Sequence, residues 1–267
     1  MSEHPDYRRL FDLTGRVALV VGGGSGIGEA SALALAAHGA RVAVADVDFG
    51  KAEATVAMIH KRHGSASGHH VDVRDTGSVD RLVSQVQAQE HRIDILLDMP
   101  AINIRKRLAD YTDEEFDRII DLNLKGTFRV ARAVAKVMTL QRSGSMILMS
   151  SMRGTQVEPG QSIYGSTKAA ISLLVKGLAS EMAEHNVRVN ALAPSIIATP
   201  INAIIRNDPA WKEAYASRTA LGRWGETSEM AGPIVFLASD AASYVTGTTL
   251  YADGGWTVVD GRYKPPV

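Results

Sequence analysis

Cysteine is absent from this 267-residue chain, which excludes a disulfide framework, a thiolate nucleophile and any cysteine–zinc site. A net charge is absent too: 29 Lys and Arg balance 29 Asp and Glu, so nothing global attracts nucleic acid or an anionic membrane. No apolar run approaches the about 18 residues needed to span a bilayer, and residues 1–16 are polar and charged, without an apolar segment leading to a cleavage site. The expectation is a cytoplasmic protein with neither nucleic acid nor membrane as partner. With no repeat, low-complexity stretch or linker, a single domain over 1–267 is the economical reading.

What is present begins with Arg16 to Val21, an almost wholly apolar run that stops at glycines, as a strand buried on both faces does. Gly22-Gly23-Gly24-Ser25-Gly26-Ile27-Gly28 follows, then a helical stretch from Ala30 to His38. Such a strand, loop and helix let backbone approach a pyrophosphate at a helix N-terminus. A second strand, Arg41 to Ala45, ends at Asp46, where a carboxylate can accept from ribose hydroxyls and repel a 2'-phosphate. NAD is therefore favoured over NADP.

Helical and apolar segments keep alternating. Helices are expected near Phe49–Arg62, Thr76–Glu90, Asp113–Leu140 and Gln161–Glu181, and strands near His69–Val73, Ile93–Leu97, Ser145–Met149, Val187–Ala193 and Thr248–Tyr251. This order predicts an α/β protein with a Rossmann-type, doubly wound parallel sheet of about seven strands and helices on both faces. On the helix after Pro159 and Gly160, apolar positions Ile163, Ala170, Leu174, Leu178 and Met182 suggest the buried side. Tyr164 and Lys168 stand one turn apart there. A cation beside a phenol lowers its pKa, which suits proton exchange with an alcohol; two ordinary surface residues are the alternative. His60, His63, His69 and His70 crowd one region, but no ligand spacing accompanies them, and solvated surface histidines without a metal are expected.

Taken together these residues resemble the short-chain dehydrogenase/reductase family, from about Leu13 to Trp256. The resemblance rests on Gly22, Gly26 and Gly28, on Asp72-Val73, on Asn123-Leu-Lys-Gly126, on Ser151, Tyr164 and Lys168, on Arg188 to Pro194, and on Val245-Thr-Gly247 with Asp253-Gly-Gly255. It implies that Tyr164 exchanges the proton, that Lys168 lowers the tyrosine pKa and binds the nicotinamide ribose, that Ser151 orients the reacting oxygen, and that Asn123 holds a water linked to Lys168. It further implies a cofactor site made by Gly22, Ser25, Gly26, Ile27, Gly28, Asp46, Asp72, Val73, Tyr164, Lys168, Pro194, Ile197 and Thr199, and a homotetramer. Three departures stand out: Asp98-Met99-Pro100-Ala101 where the family usually reads Asn-Asn-Ala-Gly, Val21 for a threonine, and Ser195 for a glycine. The first puts cofactor affinity in doubt.

Arg105 and Arg153 fall in loops expected to line the crevice and can clamp a carboxylate, with Ser151 and Tyr164 completing the substrate-binding set. The segments Ile102 to Leu108, Asp208 to Trp211 and Arg218 to Gly225 are similar to the gluconate 5-dehydrogenase and 2-deoxygluconate 3-dehydrogenase branch. A sugar acid, sugar or polyol is the implied small-molecule substrate, with 199–220 as its lid. The alternatives are a 3-oxoacyl thioester or steroid reductase, and a catalytically idle Rossmann-fold binding protein.

Overall fold

The computed structural model describes residues 6–258, the side chains of Arg8 and Ile204 excepted; both ends of the expected 1–267 domain lie outside it. Seven parallel strands run β1 (Val17–Val21), β2 (Arg41–Asp46), β3 (Ser65–His70), β4 (Ile95–Asp98), β5 (Gly144–Met149), β6 (Val187–Pro194) and β7 (Thr249–Ala252), in spatial order β3-β2-β1-β4-β5-β6-β7. The order reverses between β1 and β4, and a crevice opens beyond the carboxyl ends of strands at such a switch point.

Every residue of β1 is buried, because its alternate side chains feed two cores. Val17, Leu19 and Val21 pack beneath α3 (Thr76–Glu90), α5 (Thr127–Gln141) and α6 (Ser162–Met182). Ala18 and Val20 pack beneath α1 (Gly26–Ala37), α2 (Phe49–Lys61) and α9 (Thr227–Ala238). Helices thus cover both faces, as the apolar runs require. A third cluster, Met152, Ile196, Ile205, Tyr215, Ala216, Trp224 and Trp256, forms a separate apolar base at one end of the crevice.

Four expectations are corrected. The third strand is Ser65–His70 rather than His69–Val73: register starts at Arg41↔Ser65, and small polar residues suffice at a sheet edge. There His69 is buried and His70 exposed, so not all four histidines are solvated. The single helix expected over Asp113–Leu140 is α4 (Asp113–Ile119), a π-helical segment at Ile120–Gly126, and α5. The wide turn inserts a residue that 3.6-periodicity cannot reveal. Finally, α6 buries Lys168, Ile171, Val175, Ala179 and Met182, while Ile163, Ala170, Leu174 and Leu178 flank that side half-buried. The buried side is rotated because it includes a lysine.

Between β6 and α9 the chain forms α7 (Ala203–Asn207) and α8 (Pro209–Ala216). Asp208 caps α8 through the Trp211 amide at 3.0 Å, with Pro209 as the first residue of the helix, where its missing N–H costs nothing. These helices bring Ile205, Trp211 and Tyr215 to the crevice wall.

Candidate active site

One crevice of about 650 Å³ collects the expected residues. Every expected cofactor or substrate residue lines it: the glycine loop with Ser25 and Ile27, then Asp46, Asp72, Val73, Arg105, Ser151, Arg153, Tyr164, Lys168, Pro194, Ile197 and Thr199. Asn123 alone of the set does not. It is fully buried, its oxygen accepting from the Ile102 amide at 2.8 Å and its amino group donating to the Ile102 carbonyl at 2.9 Å and the Thr167 hydroxyl at 3.4 Å. The side chain ties the loop after β4 to α6, and its two N–H groups are spent.

At the dinucleotide end, α1 starts inside the loop. Gly26, its first residue, has φ +59°, which disfavours other residues. A Cβ on Gly28 would lie 2.1 Å from the Gly22 carbonyl oxygen, so only glycine lets α1 pack this close to β1. The Ser25 side chain makes no capping hydrogen bond, leaving first-turn N–H groups directed at the crevice. Asp46 is fixed at the end of β2 by the Gly24 and Asp48 amides, each at 3.0 Å. The nearest lysine in sequence, Lys51, pairs with Asp48 instead, at 3.5 Å. A helix N-terminus for phosphates and a carboxylate for ribose hydroxyls fit a nicotinamide dinucleotide. After β4, Met99, Pro100 and Ala101 line the crevice, whereas Asp98, the last residue of the strand, turns into the core.

At the other end, Tyr164 and Ser151 bring two hydroxyls to the wall. Burial raises the Tyr164 pKa above the usual phenol value; the Ser151 hydroxyl, then Arg153 and Arg105, pull the other way without prevailing. This corrects the expectation that Lys168 would lower it. The Lys168 ammonium lies 5.7 Å from the tyrosine ring centroid and donates to the Met149 carbonyl at 2.8 Å. Burial of that lysine, against the attraction of Asp98, brings its own pKa down to about 8. The cations that favour the phenolate in this geometry are the two arginines.

Those arginines are not free. Arg153, buried, pairs with Glu158 at 2.8 Å, and Arg105 pairs with the same carboxylate at 2.6 Å. Tyr215 and Gln161 also donate to Glu158. Burial pushes the Glu158 pKa up, but these hydrogen bonds and the nearby guanidiniums outweigh it and hold it low. The Arg153 guanidinium stacks 5.2 Å from the Trp256 ring, and that of Arg105 5.7 Å from Trp211. Sequence reasoning missed Glu158, Tyr215 and Trp256. A carboxylate one residue before the Pro159-Gly160 break was the available signal for Glu158; the aromatics meet only through α8 and the chain after β7.

A family model described as "enoyl-(acyl carrier protein) reductase" matches residues 21–257. A curated relative from Thermotoga maritima, the 3-oxoacyl-[acyl-carrier-protein] reductase FabG, is 36% identical over 246 residues, covering 92% of this chain and 99% of its own. The 2-dehydro-3-deoxy-D-gluconate 5-dehydrogenase of Pseudoalteromonas atlantica is 37% identical over 250 residues, covering 92% and 97%. Among solved structures, a gluconate 5-dehydrogenase from Burkholderia cenocepacia in complex with NADP and tartrate superposes with a TM-score of 0.89 at 33% identity, covering 94% of this chain and 98% of its own. The chain belongs to the short-chain dehydrogenase/reductase family. It is an NAD(P)-dependent oxidoreductase acting on CH–OH groups.

Proposed function

We propose that the protein interconverts a secondary alcohol and a ketone on a sugar acid or related polyol, with NAD as the favoured cofactor. The observation that carries this reading is the pairing of two wall hydroxyls, Tyr164 and Ser151, with a guanidinium pair whose charge Glu158 only half neutralises. Bound nicotinamide supplies or accepts the hydride. Ser151 holds the reacting oxygen, Tyr164 exchanges its proton, and Lys168 supports the tyrosine from beneath its ring. Asn123 keeps the loop after β4 in place against α6. A spectrophotometric screen of aldonates, uronates, polyols and 3-oxoacyl thioesters with both nucleotides tests it; turnover confined to the thioesters would replace it with the acyl-reductase reading that the T. maritima relative's name supports.

The NAD preference rests on Asp46 and on Val47, whose exposed apolar side chain offers no cation to a 2'-phosphate. Asp46→Asn is expected to narrow the NAD/NADP ratio of kcat/KM at least about tenfold, because apposed like charges cost several kcal/mol. An unchanged ratio would remove this role.

The raised Tyr164 pKa sets the pH dependence. A phenol that stays protonated at neutral pH is ready to donate to a carbonyl, so reduction is expected to be level through neutral pH and to decline only on the alkaline side, where the phenol itself ionises. Oxidation needs the phenolate and is expected to rise over the same range. Rate profiles measured in both directions check this, and a shared slope would contradict it. The segment 199–220 is read as the lid, with Ile205 and Tyr215 buried against the base of the crevice and Ile201 and Trp211 more exposed. Exposed Phe128 on α5 and Leu173 on α6 support association into a homotetramer, which sedimentation would measure.

A further inference from the structure

At the middle of the sheet lies a buried carboxylate with no well-formed hydrogen bond. Asp98 ends β4 with 2% exposure, and only the Thr127 hydroxyl comes near enough to favour its charged form by hydrogen bonding. Side chains alternate along a strand: Ile95 and Leu97 pack toward α1 and α9, Leu96 toward α5 and α6, so Asp98 points toward α5 and α6 as well. Its cross-strand neighbours are Val21 and Leu148, both buried and apolar. A carboxylate set between a valine and a leucine is a costly arrangement that the fold does not need.

One charge answers it. Lys168, 1% exposed, donates to the carbonyl of Met149, the residue that follows Leu148 on β5. The ammonium is therefore anchored one residue from the strand position paired with Asp98, in strands about 4.8 Å apart. From α5 the uncharged Thr127 hydroxyl faces the carboxyl, while Arg129 of that helix is spent on Asp121 and the Val73 carbonyl. Tyr164, one turn before Lys168 on α6, is the remaining titratable group of the cluster.

We propose that Asp98 is a positioning residue of the proton-transfer site: its carboxylate is the buried counter-charge that keeps Lys168 protonated beside Tyr164. This rests on the reading of Tyr164 and Lys168 as the proton-transfer pair. Burial, partly offset by Thr127 and Lys168, raises the Asp98 pKa to about 6, and burial lowers that of Lys168 to about 8, so both charges coexist only in the interval between. An asparagine at this position would leave the lysine uncompensated, and it would lose its proton at lower pH.

Asp98→Asn, assayed with gluconate and NAD and in reverse with the keto acid and NADH, tests this. Removing a negative charge lowers the pKa of both Lys168 and Tyr164, so the limbs of both profiles are expected to move toward acid by about one pH unit or more, with KM for NAD within a few-fold. Because the fold favours protonated Asp98, the wild type loses stability as the pH rises toward 6, and the variant escapes that loss. Its melting temperature should gain on the wild type's between about pH 4 and 6. Unmoved limbs would overturn the proposal. If Asp98→Asn does not fold, Asp98→Ser is read in the same way, and the wild type alone must show no infrared carboxylic-acid band at pH 7; a carboxyl that stays neutral there is no counter-charge and also overturns the proposal. Tyr164→Phe is assayed alongside. Retained turnover there would remove the reading of the pair itself, whereas an inactive Tyr164→Phe with unmoved Asp98→Asn limbs would remove the role of Asp98 alone.

Discussion

Tyr164→Phe is expected to lower kcat by about three orders of magnitude while leaving NAD affinity within a few-fold, within the range that a positioned acid or base contributes. The phenyl ring keeps the volume that Lys168 packs beneath at 5.7 Å, so the local structure should persist. Nor does the change orphan Ser151, whose hydroxyl still accepts from the Arg153 amide at 3.1 Å. What disappears is the phenol oxygen assigned to pass a proton to or from the reacting alcohol or ketone. The result should therefore be a protein that binds nucleotide, melts within a few degrees of the wild type and barely turns over. Calorimetric titration with NAD beside steady-state rates separates binding from chemistry. Wild-type turnover in this variant would end the assignment of Tyr164 as proton carrier.

The fold was legible because its signals are local and repeated. Val17–Val21 is continuous apolar sequence because both faces of a central parallel strand are buried, Gly28 reports a close approach that no other residue tolerates, and Gly26 a left-handed backbone that favours glycine. Legibility failed where structure depends on distant partners. Ser65–His70 is a strand only because Arg41–Asp46 offers it a register. The π-helical turns at Ile120–Gly126 place Asn123 against Ile102 by adding to the helical repeat rather than following it. At the site, residue types were readable and electrostatic states were not: the Tyr164–Lys168 spacing is plain in sequence, but the burial that raises one pKa and lowers the other is a property of the packed molecule. The same holds for Arg105 and Arg153. Their side chains reach the expected crevice, already bridged by a carboxylate that lies five residues after Arg153 and fifty-three after Arg105.

That bridge determines the second large effect. Two guanidiniums and one carboxylate leave a single positive charge on the wall, enough for one carboxylate of a substrate. Arg153→Ala removes that excess, because Glu158 then neutralises Arg105 alone. Charge-assisted hydrogen bonds are worth about 1.5–3 kcal/mol, so KM for an aldonate is expected to rise about 10- to 100-fold, against a few-fold for a neutral polyol. Part of any common increase comes from the space opened beside Trp256, where the guanidinium stacks at 5.2 Å, and the polyol measures that part. Glu158→Gln should act in the opposite sense. It leaves two uncompensated guanidiniums and keeps an acceptor for Tyr215 and Gln161, so the acid is expected to bind more tightly relative to the polyol. Opposite displacements of the acid-to-polyol KM ratio follow only if the wall recognises charge; equal displacements would assign Arg105, Arg153 and Glu158 to packing beneath the crevice and leave the acidic substrate without support.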